Sequence, residues 1–262
     1  MIQCAHVIGM GRLGRHLAQR LEHIGVQVHR WNRTPVANAQ DLAHWAPIGN
    51  PEAVFLAVSD RAISTVASQI RPDLSPKTLL IHHAGSVQRE ALGWPKSSTG
   101  VLWAPMTFQP DAAPDWENMP LAVDTDHKGL GNWAPRLAPQ CFPVTETQRK
   151  HLHLGAVLLG NLTAAWMGTV ENHLSQLNLD AKVLKPLVQA SVDKALAGNA
   201  LKTVTGPAAR NDRDTLNSQS ELLKSTETEP QLALLHHHLT NLILSEHGHQ
   251  PLPPFQTKTG QD

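Results

Sequence analysis

Residues 4–14, Cys4-Ala5-His6-Val7-Ile8-Gly9-Met10-Gly11-Arg12-Leu13-Gly14, decide the fold. The short apolar run reads as a strand, the glycines as a turn, and Arg12 to His23 as the helix that the turn opens. Each glycine has a separate task. Gly9 permits the tight turn. Gly11 lets backbone come close to a pyrophosphate seated on the helix N-terminus, and Gly14 lets the helix pack on the sheet. With Met10, Arg12 and Leu13 between them, the run reads as a dinucleotide-phosphate turn. The competing reading is a glycine turn with no ligand.

The residues that follow repeat the alternation. Strands are expected at Gln3 to Ile8, Val26 to Arg30, Ala53 to Val58, Thr78 to His82, Val101 to Trp103, Leu121 to Asp124 and Cys141 to Val144. Helices are expected at Arg12 to His23, Val36 to His44, Arg61 to Ile70 and Gln88 to Leu92. Short apolar runs alternating with helical patterns mean βαβ units and a mostly parallel sheet. From Glu146 onward no strand is expected, and helices fill about Thr147 to Leu177, Asp180 to Ala197, Asp212 to Ser225 and Glu229 to His247. The expected class is therefore α/β: a Rossmann-like, doubly wound domain over residues 1–146, then an all-α domain over 147–247. Residues 248–262, with three prolines and little apolar content, read as a loose tail.

The end of the second strand bears on which dinucleotide is held. NAD sites place an acid about 20 residues after the glycines to bond the ribose 2′-hydroxyl. Here the sequence reads Val28-His29-Arg30-Trp31-Asn32-Arg33-Thr34, with no acid. Arg33 suits a 2′-phosphate, Asn32 and Thr34 can add hydrogen bonds, and Arg12 can help from the turn. NADP is the expected cofactor. Val58 and Ser59, at the carboxyl end of the third clear strand, are expected beside its ribose or nicotinamide, and Asp60 reads as a helix cap.

Composition narrows the partners. Lys plus Arg equals Asp plus Glu at 22 each, and no basic run exceeds two residues, which argues against nucleic acid. Two cysteines, Cys4 and Cys141, suffice for neither a disulfide scaffold nor a four-thiolate zinc site. Met1 to Ile8 lacks the basic start of a signal peptide, so the cytoplasm is the expected compartment. The stretch from His151 to Val170 has no charged Lys, Arg, Asp or Glu, yet His151, His153, Asn161 and Thr163 interrupt it. It reads as a buried helix of a water-soluble domain and not as a membrane span. Its small residues Gly155, Gly160, Ala164 and Gly168 invite close helix contact, and a homodimer through the helical domain is expected. The 16 histidines raise the question of metal. His151 and His153 are two apart, about 200° around a helix, and the consecutive residues 236–238 splay likewise. No metal site is expected.

Beyond these patterns, the chain resembles an uncharacterised bacterial family of Rossmann-like proteins whose C-terminal helical domain has no known function. It is similar, more distantly, to pyrroline-5-carboxylate reductases and deazaflavin-dependent NADP reductases. The likeness spans about residues 5 to 245. It rests on Gly9 to Gly14, Asn32-Arg33-Thr34, Ala57-Val58-Ser59-Asp60, His82-His83-Ala84-Gly85-Ser86, Pro105-Met106-Thr107-Phe108, His153 with Asn161, and Leu184-Lys185-Pro186-Leu187 followed by Thr205-Gly206-Pro207-Ala208-Ala209-Arg210-Asn211-Asp212. It implies an NADP-binding, oxidoreductase-like dimer with no assigned substrate. The chain departs from that family at Ala84, where a hydroxyl is usual, at Ala104, where a His often precedes the Pro, and at Asn211, which interrupts an Arg-Gly-Asp run.

A nicotinamide reductase needs a hydride source, a proton donor and groups that orient the substrate. His153 is the expected proton donor, with Asn161 eight residues on to hold a carbonyl or imine substituent. The competing reading makes both of them packed interface residues. Hydroxyacid dehydrogenases of the hydroxyisobutyrate type carry a Lys four residues before an Asn on this helix. Val157 stands there instead, which disfavours that chemistry. His82, Ser86, Thr107 and Arg210 are the expected substrate contacts, although Arg210 also suits a pair with Asp212, itself a helix N-cap. The expected activity is NADP-dependent hydride transfer to a small carbonyl or imine compound. The alternative is a non-catalytic NADP(H)-binding sensor or partner protein on the same fold.

Overall fold

A computed structural model describes residues 2–109, 112–225 and 230–254. It divides into two compact units, Met1–Asn161 and Leu162–Asp262.

The first unit holds strands β1 (Cys4–Ile8), β2 (Gln27–Asn32), β3 (Gln40–Asp41), β4 (Ala53–Leu56), β5 (Leu79–His82), β6 (Thr99–Trp103), β7 (Leu121–Thr125) and β8 (Cys141–Pro143). Its helices are α1 (Arg12–His23), α2 (Ile63–Ile70), α3 (Lys128–Leu137) and α4 (Glu146–Ala156). The strands form one sheet in the order β3-β2-β1-β4-β5-β6-β7-β8. All pairs are parallel except β6 with β7, so the expected mostly parallel, doubly wound sheet is present.

Successive residues of a strand face opposite sides of the sheet, and here both sides are core. Val7, Phe55 and Ile81 pack with Leu17 and Leu21 of α1 and Leu130 and Trp133 of α3. Their neighbours Ile8, Val54, Leu56 and Leu80 pack with Ile63, Ala67 and Ile70 of α2. Every residue of β4 and β5 is buried, which is why those strands read as continuous apolar runs.

All seven expected strands form. The helix expected over Val36 to His44 does not. The segment makes the two-residue strand β3 and a 3-10 turn at Leu42–His44. Pro35 precedes it, Asn38 takes a left-handed backbone (φ 61), and the Asp41 carboxylate accepts from the Ala43 amide, so the local bonds favour a turn. Gln88 to Leu92 shortens to one 3-10 turn, Arg89–Leu92, ended by Gly93 at φ 53. Helix α3 lies outside the expected helices, and Gly129, Gly131 and Pro135 weigh against it. It forms because Leu130, Trp133, Ala134 and Leu137 bury one face, and the His127 ring caps the Leu130 amide.

Helix α4 starts with a capping box: Thr145 Oγ1 accepts from the Gln148 amide, and the Gln148 side chain accepts from the Thr145 amide. It is followed by a π-helical turn at Val157–Leu162, within which the boundary between the two units falls.

The second unit contains α5 (Thr163–Gln176), α6 (Lys185–Leu196), α7 (Ala200–Thr203), α8 (Arg213–Ser225) and α9 (Pro230–Glu246), so the second half is helical as expected. Ala208, Leu216, Leu244 and Leu252 form a buried cluster in it. Leu252 belongs to the expected loose tail, yet it is packed and its amide donates to Asn241 Oδ1. Residues 255–262 of that expected tail lie outside the described residues.

Candidate active site

The carboxyl ends of β1, β2 and β4 border a cleft of about 670 Å³. Gly9, Gly11, Asn32, Arg33, Thr34, Val58 and Ser59 all line it, so the glycine turn and the Arg33 loop come together as the sequence suggests. Gly9 holds φ +99, and a Cβ there would stand 2.5 Å from the Ala57 carbonyl oxygen. A Cβ on Gly14 would overlap the Gly9 carbonyl. Gly11 differs: a Cβ would meet nothing within 4 Å, so its open side faces unfilled space. That open cradle, at the N-terminus of the 12-residue helix α1, fits a phosphate group.

Asn32 has a structural task in this cleft. Its Oδ1 accepts from the Met10 amide at 2.9 Å, and its Nδ2 donates to the Thr34 carbonyl at 2.8 Å and to Thr34 Oγ1 at 3.1 Å. It ties the glycine turn to the end of β2. Met10 is buried under the turn, Arg12 is exposed, and Leu13 is half-buried. Arg33 is exposed and makes no ion pair among the described residues. Arg61, which sequence reasoning passed over, lines the same cleft. Among the described residues no Asp or Glu does, so the lining suits an anionic ligand.

The carboxyl ends of β5 and β6 carry a second group of side chains. The ring of His153, on α4, lies 5.5 Å from that of Trp103 at the end of β6. It also covers Gly85: a Cβ there would overlap the His153 ring and come within 2.8 Å of Trp103. His153 therefore sits on the turn after β5, within the first unit. Four residues earlier on α4, Arg149 is fully buried. Its Nη1 donates to the carbonyls of Ala84 at 2.9 Å and Gly85 at 2.6 Å, and its Nε pairs with Asp124 at 3.2 Å. The other Asp124 oxygen takes Arg89 Nε at 3.2 Å, and Arg89 also pairs with Asp126 at 2.9 Å. Arg149 Nη2 and Arg89 Nη1 are buried with no partner among the described residues. One face of α4 thus carries both the residue that fixes this turn and the residue that covers it.

Among the expected substrate contacts, Ser86 is exposed and donates to Asp60 Oδ2 at 2.9 Å. Asp60 thereby joins the turns after β4 and β5, and Ser59, not Asp60, holds the cap position of the 3-10 turn. His82 is fully buried, and its Nδ1 accepts from the Ala84 amide at 3.2 Å. Burial first, then the nearby Arg149 guanidinium, lowers its pKa to about 3, so the ring is neutral. Ile81 and His83 face the α1 side of the sheet, so His82 faces the other. Thr107 is exposed beyond β6. Asn161 is exposed in the π-helical turn, which shifts it from the α-helical phase that the eight-residue spacing from His153 assumes. Arg210 is exposed in the second unit, after Gly206 at φ +122. Asp212 there caps α8 by accepting from the Thr215 amide and hydroxyl, the hydroxyl first, which lowers its carboxyl pKa.

Cys4, His6 and His29 bring candidate metal-ligand atoms within 4.8 Å of one another. Both ring nitrogens of His6 are already engaged, Nδ1 by the Trp31 indole N–H and Nε2 with the Ile48 carbonyl. The cluster is a packed aromatic corner, with the Trp31 and Trp45 rings 5.9 and 5.4 Å from that of His6.

Residues 122–243 match the model of a family described as Domain of unknown function (DUF2520). No curated protein matches the chain. A Bacteroides fragilis protein described as a “putative NADP oxidoreductase” is similar in structure (TM-score 0.77, 23% identity, covering 93% of this chain and 98% of that one). So is a Thermotoga maritima protein (TM-score 0.72, 21% identity, 93% and 98% covered). The imine reductase of Myxococcus stipitatus, solved with NADP+, is similar as well, at TM-score 0.60 and 16% identity, with 95% and 96% covered. No helix among the described residues is long and apolar enough to cross a membrane. The chain therefore carries a DUF2520 match over residues 122–243 on a Rossmann-like fold similar to that of NADP oxidoreductases and imine reductases.

Proposed function

We propose that the chain is an NADPH-dependent oxidoreductase that reduces a small carbonyl or imine compound. The observation that carries the reading is the cleft at the carboxyl ends of β1, β2 and β4, where the open Gly11 cradle and Arg33 share one lining that, among the described residues, holds no acid. Gly9, Gly11 and the α1 N-terminus would hold the pyrophosphate. Arg33, with Thr34 beside it, would hold the 2′-phosphate. Val58 and Ser59 would border the ribose. When bound, the nicotinamide supplies a hydride.

The chain's own residues supply the rest. His153 is half-buried and lies on the turn after β5, so it serves as the proton donor to the substrate oxygen or nitrogen. Arg149 holds the 84–85 carbonyls and sets the height of that turn. Ser86, His82, Thr107, Asn161 and Arg210 are kept as candidate substrate contacts, with Ser86 the best placed because its hydroxyl is exposed beside Asp60. The test is NADPH oxidation, followed at 340 nm, against a panel of aldehydes, ketones and cyclic imines. Turnover with any member supports the reading. Tight NADPH binding with no turnover across the panel would replace it with a non-catalytic NADPH sensor.

We further propose that the chain is a homodimer through its helical half, working in the cytoplasm. In the second unit Val183, Leu187 and Leu196 are 75%, 64% and 80% exposed, an apolar surface of the kind a partner copy covers. Light scattering at micromolar concentration is expected to give twice the 28.6 kDa chain mass, and a value at 28.6 kDa would exclude the dimer.

A further inference from the structure

The cleft at the carboxyl ends of β1, β2 and β4 has two walls, and an arginine stands on each. One wall is the end of β2 and the turn beyond it, with Arg33 and Leu42. The other is the 3-10 turn Asp60–Ala62 and helix α2, with Arg61, Thr65 and Gln69. These three are four residues apart, so they lie along one face of the helical run. Gln69 Nε2 donates to the Leu42 carbonyl at 2.9 Å, which latches that face to the opposite wall. The strand order β2-β1-β4 sets the two walls two strand spacings apart, about 10 Å. Arginine side chains reaching in from both walls can meet one phosphate held between them.

Arg33 and Arg61 are both exposed, and neither makes an ion pair among the described residues. Other arginines of the first unit are committed, Arg30 to Glu22 and both Arg89 and Arg149 to Asp124. Asp60, the residue before Arg61, does not line the cleft, and its carboxylate takes the Ser86 hydroxyl. Arg12, offered by the sequence as a helper, does not line it either. Two guanidiniums thus share a cleft whose described lining holds no carboxylate. Like charges in one cleft repel, and the same field attracts an anion that enters between them. The pyrophosphate has the Gly11 cradle and the α1 N-terminus, which leaves the two arginines for a further phosphate.

We propose that Arg61 is the second cation of the 2′-phosphate subsite, gripping from the α2 side the phosphate that Arg33 grips from the β2 side. The inference rests on the NADP reading of this cleft. It adds a residue that sets how strongly the chain separates NADPH from NADH. A 2′-phosphate carries up to two negative charges, and a guanidinium on each side matches them with charge-assisted hydrogen bonds. Arg61 could instead lie over the adenine face or against the pyrophosphate. Both of those groups are common to the two cofactors, so only the 2′-phosphate contact makes Arg61 a discriminating residue.

The test is calorimetric titration of the full chain and of Arg61→Ala with NADPH, NADH and the fragment adenosine 2′,5′-bisphosphate. Arg61→Ala is expected to weaken NADPH and the fragment by about 10–100-fold, the size of a charge-assisted hydrogen bond, and to leave NADH within about twofold. Retained NADH binding also shows that the cleft has folded. ³¹P NMR of the bound fragment reads the contact itself. Two guanidiniums hold the pKa of the 2′-phosphate below its free value, and Arg61→Ala is expected to raise it. Equal weakening of NADPH and NADH would put Arg61 on a shared part of the cofactor and overturn the proposal, while the NADP reading stands. A cofactor preference and a 2′-phosphate pKa both untouched by Arg61→Ala would do the same. An unsubstituted chain that binds NADPH and NADH equally would overturn the proposal and the NADP reading together.

Discussion

His153→Ala is expected to lower turnover by about 10²–10⁴-fold, the range for removing a general acid, while leaving NADPH affinity unchanged. His153 is half-buried, its ring is held between Trp103 and Gly85, and the cofactor cleft borders other residues entirely. A loss confined to turnover is what a proton donor gives, whereas a misfolded turn would also weaken binding. Unchanged turnover would remove His153 from the chemistry and leave Ser86 as the hydroxyl nearest the same turn.

Arg149→Leu is expected to destabilise the first unit by about 3–5 kcal/mol, the cost of removing one partner of a buried ion pair. Arg149 is fully buried, and its loss strips donors from Asp124, from the Ala84 carbonyl and from the Gly85 carbonyl together. Arg89 still pairs with Asp124, which sets the loss toward the lower end of that range. Urea denaturation followed by tryptophan fluorescence measures it. A change below about 1 kcal/mol, the scale of an exposed pair, would show that the guanidinium is not the fastener of this turn.

How much of this was legible in the sequence depends on the kind of signal. The glycine turn was, because Gly9 and Gly14 answer to backbone constraints that only glycine meets. The seven strands were, because β4 and β5 are buried on both faces and their apolar runs are unbroken. Helix α3 was not, since Gly129, Gly131 and Pro135 speak against a helix that tertiary burial of Leu130 and Trp133 nevertheless imposes. The helix read into Val36 to His44 failed the opposite way: its apolar spacing was weak and Asp41 bonds its own turn.

The site divides similarly. Arg33 stands out because an acid is missing where one is expected. Asn32 reads only as a candidate ligand contact, and its bonds to Met10 and Thr34 emerge only once β2 lies beside β1. His82 and His83 fall on opposite sides of the sheet, and alternation from Ile81, a core residue on the α1 side, already places His83 on that side. Arg149 carries a faint signal, a lone arginine one turn before His153. Its value lies in partners 25, 64 and 65 residues away, which no local pattern reports.

The most direct test of the central claim is calorimetric titration of the unsubstituted chain with NADPH and with NADH. NADPH is expected to bind at least about tenfold more tightly. Arg33→Ala is expected to remove most of that preference, a loss of about 1.5–3 kcal/mol for a charge-assisted hydrogen bond. Equal affinities for the two cofactors, or a preference untouched by Arg33→Ala, would contradict it.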